Sequence, residues 1–209
     1  QIAINKLSKS AIGKKAVGLT WIDMGPDDVG GRTRDLIVDK DDANIVYAGS
    51  VAGGLWKSEN KGGRWEMVQS FNDNLNISSM AQLANGAFLV GTGCKFENAG
   101  GTGGSGHVGY GLYISTDNLQ TFTHATDANG NELKPGSKFS TGGYFRTVNE
   151  LTPTNKNDDE VYVAHEGGLA VYNTVTKALT AVEPGGVSNL AQDVDVSSDG
   201  QYVMAVIGN

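Results

Sequence analysis

The side chains able to do chemistry in this sequence are few, and their spacing decides what they can be. His107, His124 and His165 share no metal-ligand spacing, and Cys94 is the single cysteine, so neither a thiol zinc cluster nor a disulfide framework can be built. Ordinary surface or turn histidines are expected. Asp127-Ala128-Asn129-Gly130-Asn131-Glu132 offers hard oxygen ligands at Asp127, Asn129 and Asn131, but its Gly falls at the wrong place for an EF-hand loop. Calcium is therefore a candidate beside a plain turn, and no other cofactor is indicated. The Gly-rich stretch from Lys95 to Tyr110 lacks the Gly-Lys-Ser/Thr ending of a phosphate loop, and no helical pattern follows it. Its Phe96, Glu97, Asn98, His107 and Tyr110 form a candidate ligand-binding loop, the alternative being a flexible connection.

These residues need a scaffold, and composition limits which one. Thirty glycines against four prolines, with 19% charged and 39% hydrophobic residues, describe a turn-rich globular protein. A net charge of −7 argues against nucleic acid, which demands clustered Lys and Arg; the one basic cluster, Lys6 to Lys15, reads as an N-terminal arm over residues 1–17. No run approaches the ~20 apolar residues of a membrane helix, so membrane insertion is not expected. A chain starting at Gln1 fits an exported protein whose signal peptide has been removed.

Short β-rich runs recur between Gly, Asn and Asp clusters, the pattern of an all-β protein. They repeat. In the first unit the runs are Arg34 to Val38, Ile45 to Gly49, Gly53 to Ser58 and Trp65 to Val68. The second has Ser79 to Leu83, Ala87 to Gly91, Gly111 to Ser115 and Thr121 to Thr123; the third has Thr147 to Leu151, Glu160 to Ala164, Gly168 to Tyr172 and Ala178 to Val182. A fourth unit has only Asp193 to Val196 and Tyr202 to Val206. Four strands per unit at about 40-residue spacing is the signature of a β-propeller of four-stranded antiparallel blades. Residues 18–209 then form an incomplete propeller of about three and a half blades, near 32–70, 76–125, 140–183 and 189–209. The run Gly18 to Ile22 is expected to supply an outer strand of the last blade. Leu55, Leu112 and Leu169 are equally spaced, which unequal insertions make a coincidence.

Two hairpins carry the best local motif. Ser58-Glu59-Asn60-Lys61-Gly62-Gly63-Arg64-Trp65 and Ser115-Thr116-Asp117-Asn118-Leu119-Gln120-Thr121-Phe122 resemble the Asp-box, or BNR repeat, Ser-x-Asp-x-Gly-x-Thr-Trp. The third side chain accepts backbone N–H bonds across the turn, Gly supplies positive φ, and the aromatic packs beneath. Ser58, Asn60, Gly62, Trp65, Ser115, Asp117 and Phe122 are thus structural candidates, with Asn60 replacing Asp and Leu119 replacing Gly. Together with Gly25 to Arg34, Asn44 to Gly49, Gly53 to Ser58 and Gly91-Thr92-Gly93-Cys94, they make the stretch Trp21 to Phe122 similar to sortilin-like and xyloglucanase-like propellers, common in the N-terminal region of exported bacterial surface proteins.

That resemblance implies specific checks on catalysis. Xyloglucanase-like hydrolases carry an acid in Thr-Asp-Val-Gly-Gly; the matching segment is Ser50-Val51-Ala52-Gly53-Gly54, with Val51 in the acid's place. Sialidases need an arginine triad, whereas Arg32, Arg34, Arg64 and Arg146 include no Arg-Ile-Pro motif. No catalytic residue is assigned. The expectation is a non-catalytic binding or scaffolding propeller of a secreted or cell-surface protein, recognising protein or glycan through blade-top loops. Two alternatives stand beside it: a glycoside hydrolase with its acids in other blades, and a cargo or component of an export or surface-attachment assembly such as type IX secretion.

Overall fold

The computed structural model describes residues 32–94, 109–135, 145–182 and 190–208, all within one compact unit, Gly31–Asn209. The N-terminal arm, the run Gly18 to Ile22, and Phe96, Glu97, Asn98 and His107 lie outside the described residues. Fourteen strands are described, and each sheet is a simple antiparallel meander. The first holds β1 (Thr33–Val38), β2 (Val46–Ser50), β3 (Gly54–Ser58) and β4 (Glu66–Met67). The second holds β5 (Ile77–Gln82), β6 (Phe88–Thr92), β7 (Leu112–Ser115) and β8 (Thr123–His124), and the third β9 (Val148–Pro153), β10 (Glu160–His165), β11 (Gly168–Asn173) and β12 (Leu179–Val182). A two-stranded sheet of β13 (Ala191–Val196) and β14 (Val203–Ile207) follows.

Successive sheets touch through their first and second strands: β1 and β2 pack on β5, β5 and β6 on β9, β9 and β10 on β13. The sheets therefore splay from a common axis, first strands innermost. The core lies between sheets rather than inside one. Tyr47, Leu55, Phe71, Ile77, Met80 and Phe88 fill the first interface, and Leu89, Leu112, Phe145, Val148, Val161 and Tyr172 belong to the second. Ala164, Leu169, Ala191 and Val194 form the third. Outward sides of the end sheets have no such cover among the described residues: Leu36 and Val38 are exposed on β1, Met204 and Val206 on β14.

Each interface is built as a knob and a socket. Ile77, Val148 and Ala191 open the inner strands of sheets two to four, and the second strand of the preceding sheet meets them with Gly49, Gly91 and Ala164. A Cβ on Gly49 would come within 2.6 Å of Ile77 Cγ2, and one on Gly91 within 2.6 Å of Val148 Cγ1. Leu55, Leu112 and Leu169 pair with those same small residues across the sheet. The three leucines therefore hold one structural position, as the strand order in the sequence implies. Gly91→Ala is expected to cost about 1–3 kcal/mol by overpacking, measured by urea unfolding. Adding Val148→Ala should lose less than the two single changes together, because the second opens the space that the first requires.

Candidate functional site

In every sheet the first strand is bulged at the same place. Pairing skips a residue between Thr33 and Asp35, Ile77 and Ser79, Val148 and Glu150, and Ala191 and Asp193. The skipped residues and their successors are the polar pairs Arg34-Asp35, Ser78-Ser79, Asn149-Glu150 and Gln192-Asp193. A bulge defeats strict alternation, so both members of a pair can work near the axis. The first members tie adjacent sheets together: Ser78 Oγ donates to the Val148 carbonyl, and Asn149 Nδ2 to that of Ala191 at 2.7 Å. Arg34 donates instead to Cys94 Sγ, at 2.7 Å.

Three of the second members, Asp35, Ser79 and Glu150, form a row linked by one hydroxyl. Ser79 Oγ lies 3.4 Å from Asp35 Oδ2 and 2.8 Å from Glu150 Oε1, and it accepts the Leu151 N–H at 3.0 Å. Asp35 also accepts the N–H groups of Leu36 and Met80. Burial raises the Asp35 pKa against those bonds, and burial, with the nearby Asp35 and Asp193 charges, pushes Glu150 up to about 7 despite the Ser79 bond. Ser79 has one proton to donate, whereas two carboxylates face it. A proton on Glu150 makes both contacts hydrogen bonds, and this row can hold and share that proton.

Glu150 gives a pH dependence of definite sign. Its folded pKa lies above the unfolded value of 4.5, so the native state binds the extra proton and stability falls as pH rises from about 4.5 to 7, then levels. Glu150→Gln is expected to flatten that fall, making the variant about 1–3 kcal/mol more stable than wild type at pH 8 and similar to it near pH 4. Chemical denaturation across that range measures it.

At the end of the sheets where first strands turn into second strands, the turns are held by side chains. Asp39 Oδ1 accepts the N–H groups of Asp41 and Asp42, while its Oδ2 accepts Tyr47 Oη–H and Gln82 Nε2–H. Gln82 Oε1 in turn accepts the Lys40 N–H, Asn85 donates to Asp159 and Thr174, and Asn155 donates to the Ser197 carbonyl. Turns of neighbouring sheets are thus fastened to one another. They surround a cavity of about 570 Å³ lined by Lys40, Asp41, Gln82, Asn155, Asn157, Asp158 and Ser198, with Leu83, Ala84 and Pro153 as its apolar part. It is an open cleft rather than an enclosed pocket, and its volume falls within the range of small-molecule sites.

The sequence candidates lie elsewhere. Tyr110, half exposed at the opposite end, meets His124 edge-on at 5.3 Å, with Lys134 Nζ 5.9 Å from its ring centre; His124 lies 4.3 Å from Tyr113. His165 is no surface histidine. It is buried against Phe145 at 4.4 Å, and burial lowers its pKa to about 4. Asp127 uses both carboxylate oxygens within its own turn, accepting Asn129 N–H, Asn131 N–H and Asn131 Nδ2–H. Among the described residues no three His, Cys, Asp or Glu side chains group as a metal site.

The two hairpins share one bonding pattern. Ser58 donates to Asn60 and accepts Gly62 N–H, while Asn60 Oδ1 accepts Arg64 N–H; Ser115, Asp117, Leu119 and Thr121 repeat those contacts. Positive φ falls at Lys61 and Gly62, then at Asn118 and Leu119. The Thr121 and Ser115 bonds hold Asp117 down at about 2, so its stabilisation is present above pH 3.8 and lost as pH falls towards 2. Because Asn60 fills this role in the first hairpin, Asp117→Asn should preserve the melting temperature at pH 7 and remove that acid-dependent loss. Asp117→Ala should lower it at pH 7.

No protein-family model and no curated protein match the sequence. Solved structures do. An ancestral GH74 enzyme superposes with a TM-score of 0.52 at 17% identity, over 84% of this chain and 27% of its own. A GH74 enzyme of Niastella koreensis gives 0.53 at 20% identity, over 80% and 23%. An auxiliary nutrient binding protein of Bacteroides thetaiotaomicron gives 0.56 at 12%, over 85% and 36%. The fold is a β-propeller. Its four sheets are blades, the bulged strands are their innermost strands, and the cleft sits at the blade end opposite Tyr110. This chain spans well under half the length of each of those proteins.

Proposed function

We propose that this chain is a non-catalytic ligand-recognition propeller of an exported protein, working outside the cell or at its surface on a protein or glycan ligand. The observation that carries the reading is the contrast between its two polar clusters. Asp35, Ser79 and Glu150 are engaged with one another across three blades, whereas the cleft is framed by pinned turns and its Asp158 and Ser198 side chains take no partner among the described residues. Rigid turns around uncommitted polar groups favour binding, since little ordering remains to be done when a ligand arrives.

Val51 in place of the xyloglucanase acid, and Ser79 between the buried carboxylates, both support a non-catalytic role. The nutrient-binding neighbour is a precedent for binding on this architecture, and the GH74 neighbours are a precedent for catalysis. In this reading the hairpins at Ser58 to Trp65 and Ser115 to Phe122 are Asp-boxes of the sortilin-like kind, giving shape and no chemistry. The ring is larger than the blades described, and the type IX route is one means of export to test.

Purified chain incubated with β-glucans and sialosides is expected to release no product above the blank, while retaining a glycan or protein ligand in equilibrium binding. Turnover at enzyme-like rates, lost in Glu150→Gln or Asp35→Asn, would overturn the proposal in favour of a hydrolase.

A further inference from the structure

We infer that the cavity between the inter-strand turns is a subsite for an uncharged, hydroxyl-rich ring, that is, a neutral saccharide. The inference rests on the ligand-recognition reading and names its site and ligand class. The cleft draws on three turns, β1 to β2, β9 to β10 and β13 to β14, together with the end of β5 and the first residues of the turn that follows it. Each is pinned from within: Asp39 closes the first, Thr154 Oγ1 accepts Asn157 N–H in the second, and Ser197 Oγ accepts Tyr202 N–H in the third.

Charge narrows the ligand. Lys40 Nζ is paired with Asp41 at 2.7 Å, leaving Asp158 as the unbalanced charge of the lining. An anionic ligand would meet that carboxylate at short range. A divalent cation would find too few hard ligands, since no three acidic, Cys or His side chains group among the described residues. What remains is a neutral molecule.

The polar groups then specify hydroxyls. Among the lining side chains, Asp158 and Asn155 Oδ1 are able to accept, Asn157 Nδ2 and the Lys40 ammonium to donate, and the Ser198 hydroxyl to do both. Asn157 and Asn155 each use only one end of their amides within the turns, Oδ1 to Asp159 N–H and Nδ2 to the Ser197 carbonyl. A sugar hydroxyl donates and accepts from one atom, so a ring with several can satisfy this alternating set. The C–H face of such a ring needs an apolar contact, which Ala84 and Pro153 supply. A peptide ligand would call for an apolar anchor hole or an open strand edge at the site, and the lining offers neither.

The test is calorimetry and amide NMR on the full chain with neutral hexasaccharides of glucose, mannose and galactose, and hyaluronan hexasaccharide as the acidic counterpart. The expected result is binding of at least one neutral hexasaccharide, with shifts at Lys40, Asn157, Asp158 and Ser198. Asp158→Ala should weaken it at least about tenfold, while Asp117→Asn, in the distant hairpin, leaves it unchanged. Thermal melts of both variants exclude unfolding as the cause. Three results would overturn the inference: no neutral hexasaccharide binds at millimolar concentration, the acidic one binds better, or shifts gather at Tyr110 and His124 and Asp158→Ala binds normally. In the last case the ligand-recognition reading survives and only the site falls. If no saccharide binds but a protein ligand is retained, that broader reading likewise stands without this one.

Discussion

The bulge in each innermost strand is the constraint on which this molecule turns. Without it, a strand buried between two sheets would offer only alternating apolar side chains, and neighbours would meet through grease alone. With it, a polar pair enters each strand near the axis; Ser78 and Asn149 reach the next sheet's backbone, and Asp35, Ser79 and Glu150 join a shared row. Polar contacts at this depth are directional and costly to leave unmade, so they fix how far each sheet is turned and slid against the next. Apolar packing supplies most of the attraction, and the bulge residues decide its geometry.

Much of the fold was legible because its punctuation is strong. Runs such as Val161 to Ala164 and Phe88 to Gly91 end at Gly, Asn or Asp clusters, so the observed strands begin and end within a few residues of expectation. The closing strands were less legible: β4 and β8 hold two residues each, β8 beginning at Thr123 where the run was expected to start at Thr121. There the backbone is governed by the Asn60 and Asp117 bonds, which replace ladder pairing with turn pairing.

The site was mostly not legible, for two different reasons. Asp35, Ser79, Glu150 and Asp193 did leave a signal, two adjacent polar residues followed by an apolar one in every first strand. Period-two reasoning sends one member of such a pair to each face and so overlooks it; aligning the four first strands on the pair would have exposed it. The cavity left none. Lys40, Asp158 and Ser198 sit in turns that look like any others, and only the order of the blades around the axis brings them together.

The graded contacts between blades carry a consequence for assembly. Repeated modules run the risk of docking in the wrong order, because each offers nearly the same surface to every other. Here isoleucine meets glycine, valine meets glycine, and alanine meets alanine. Ile77 has no room against the methyl of Ala164, and Ala191 set against Gly49 would leave a void, so shuffled neighbours clash or gape. The polypeptide thus carries, in three residue sizes, a key to the sequence in which its own modules must stack.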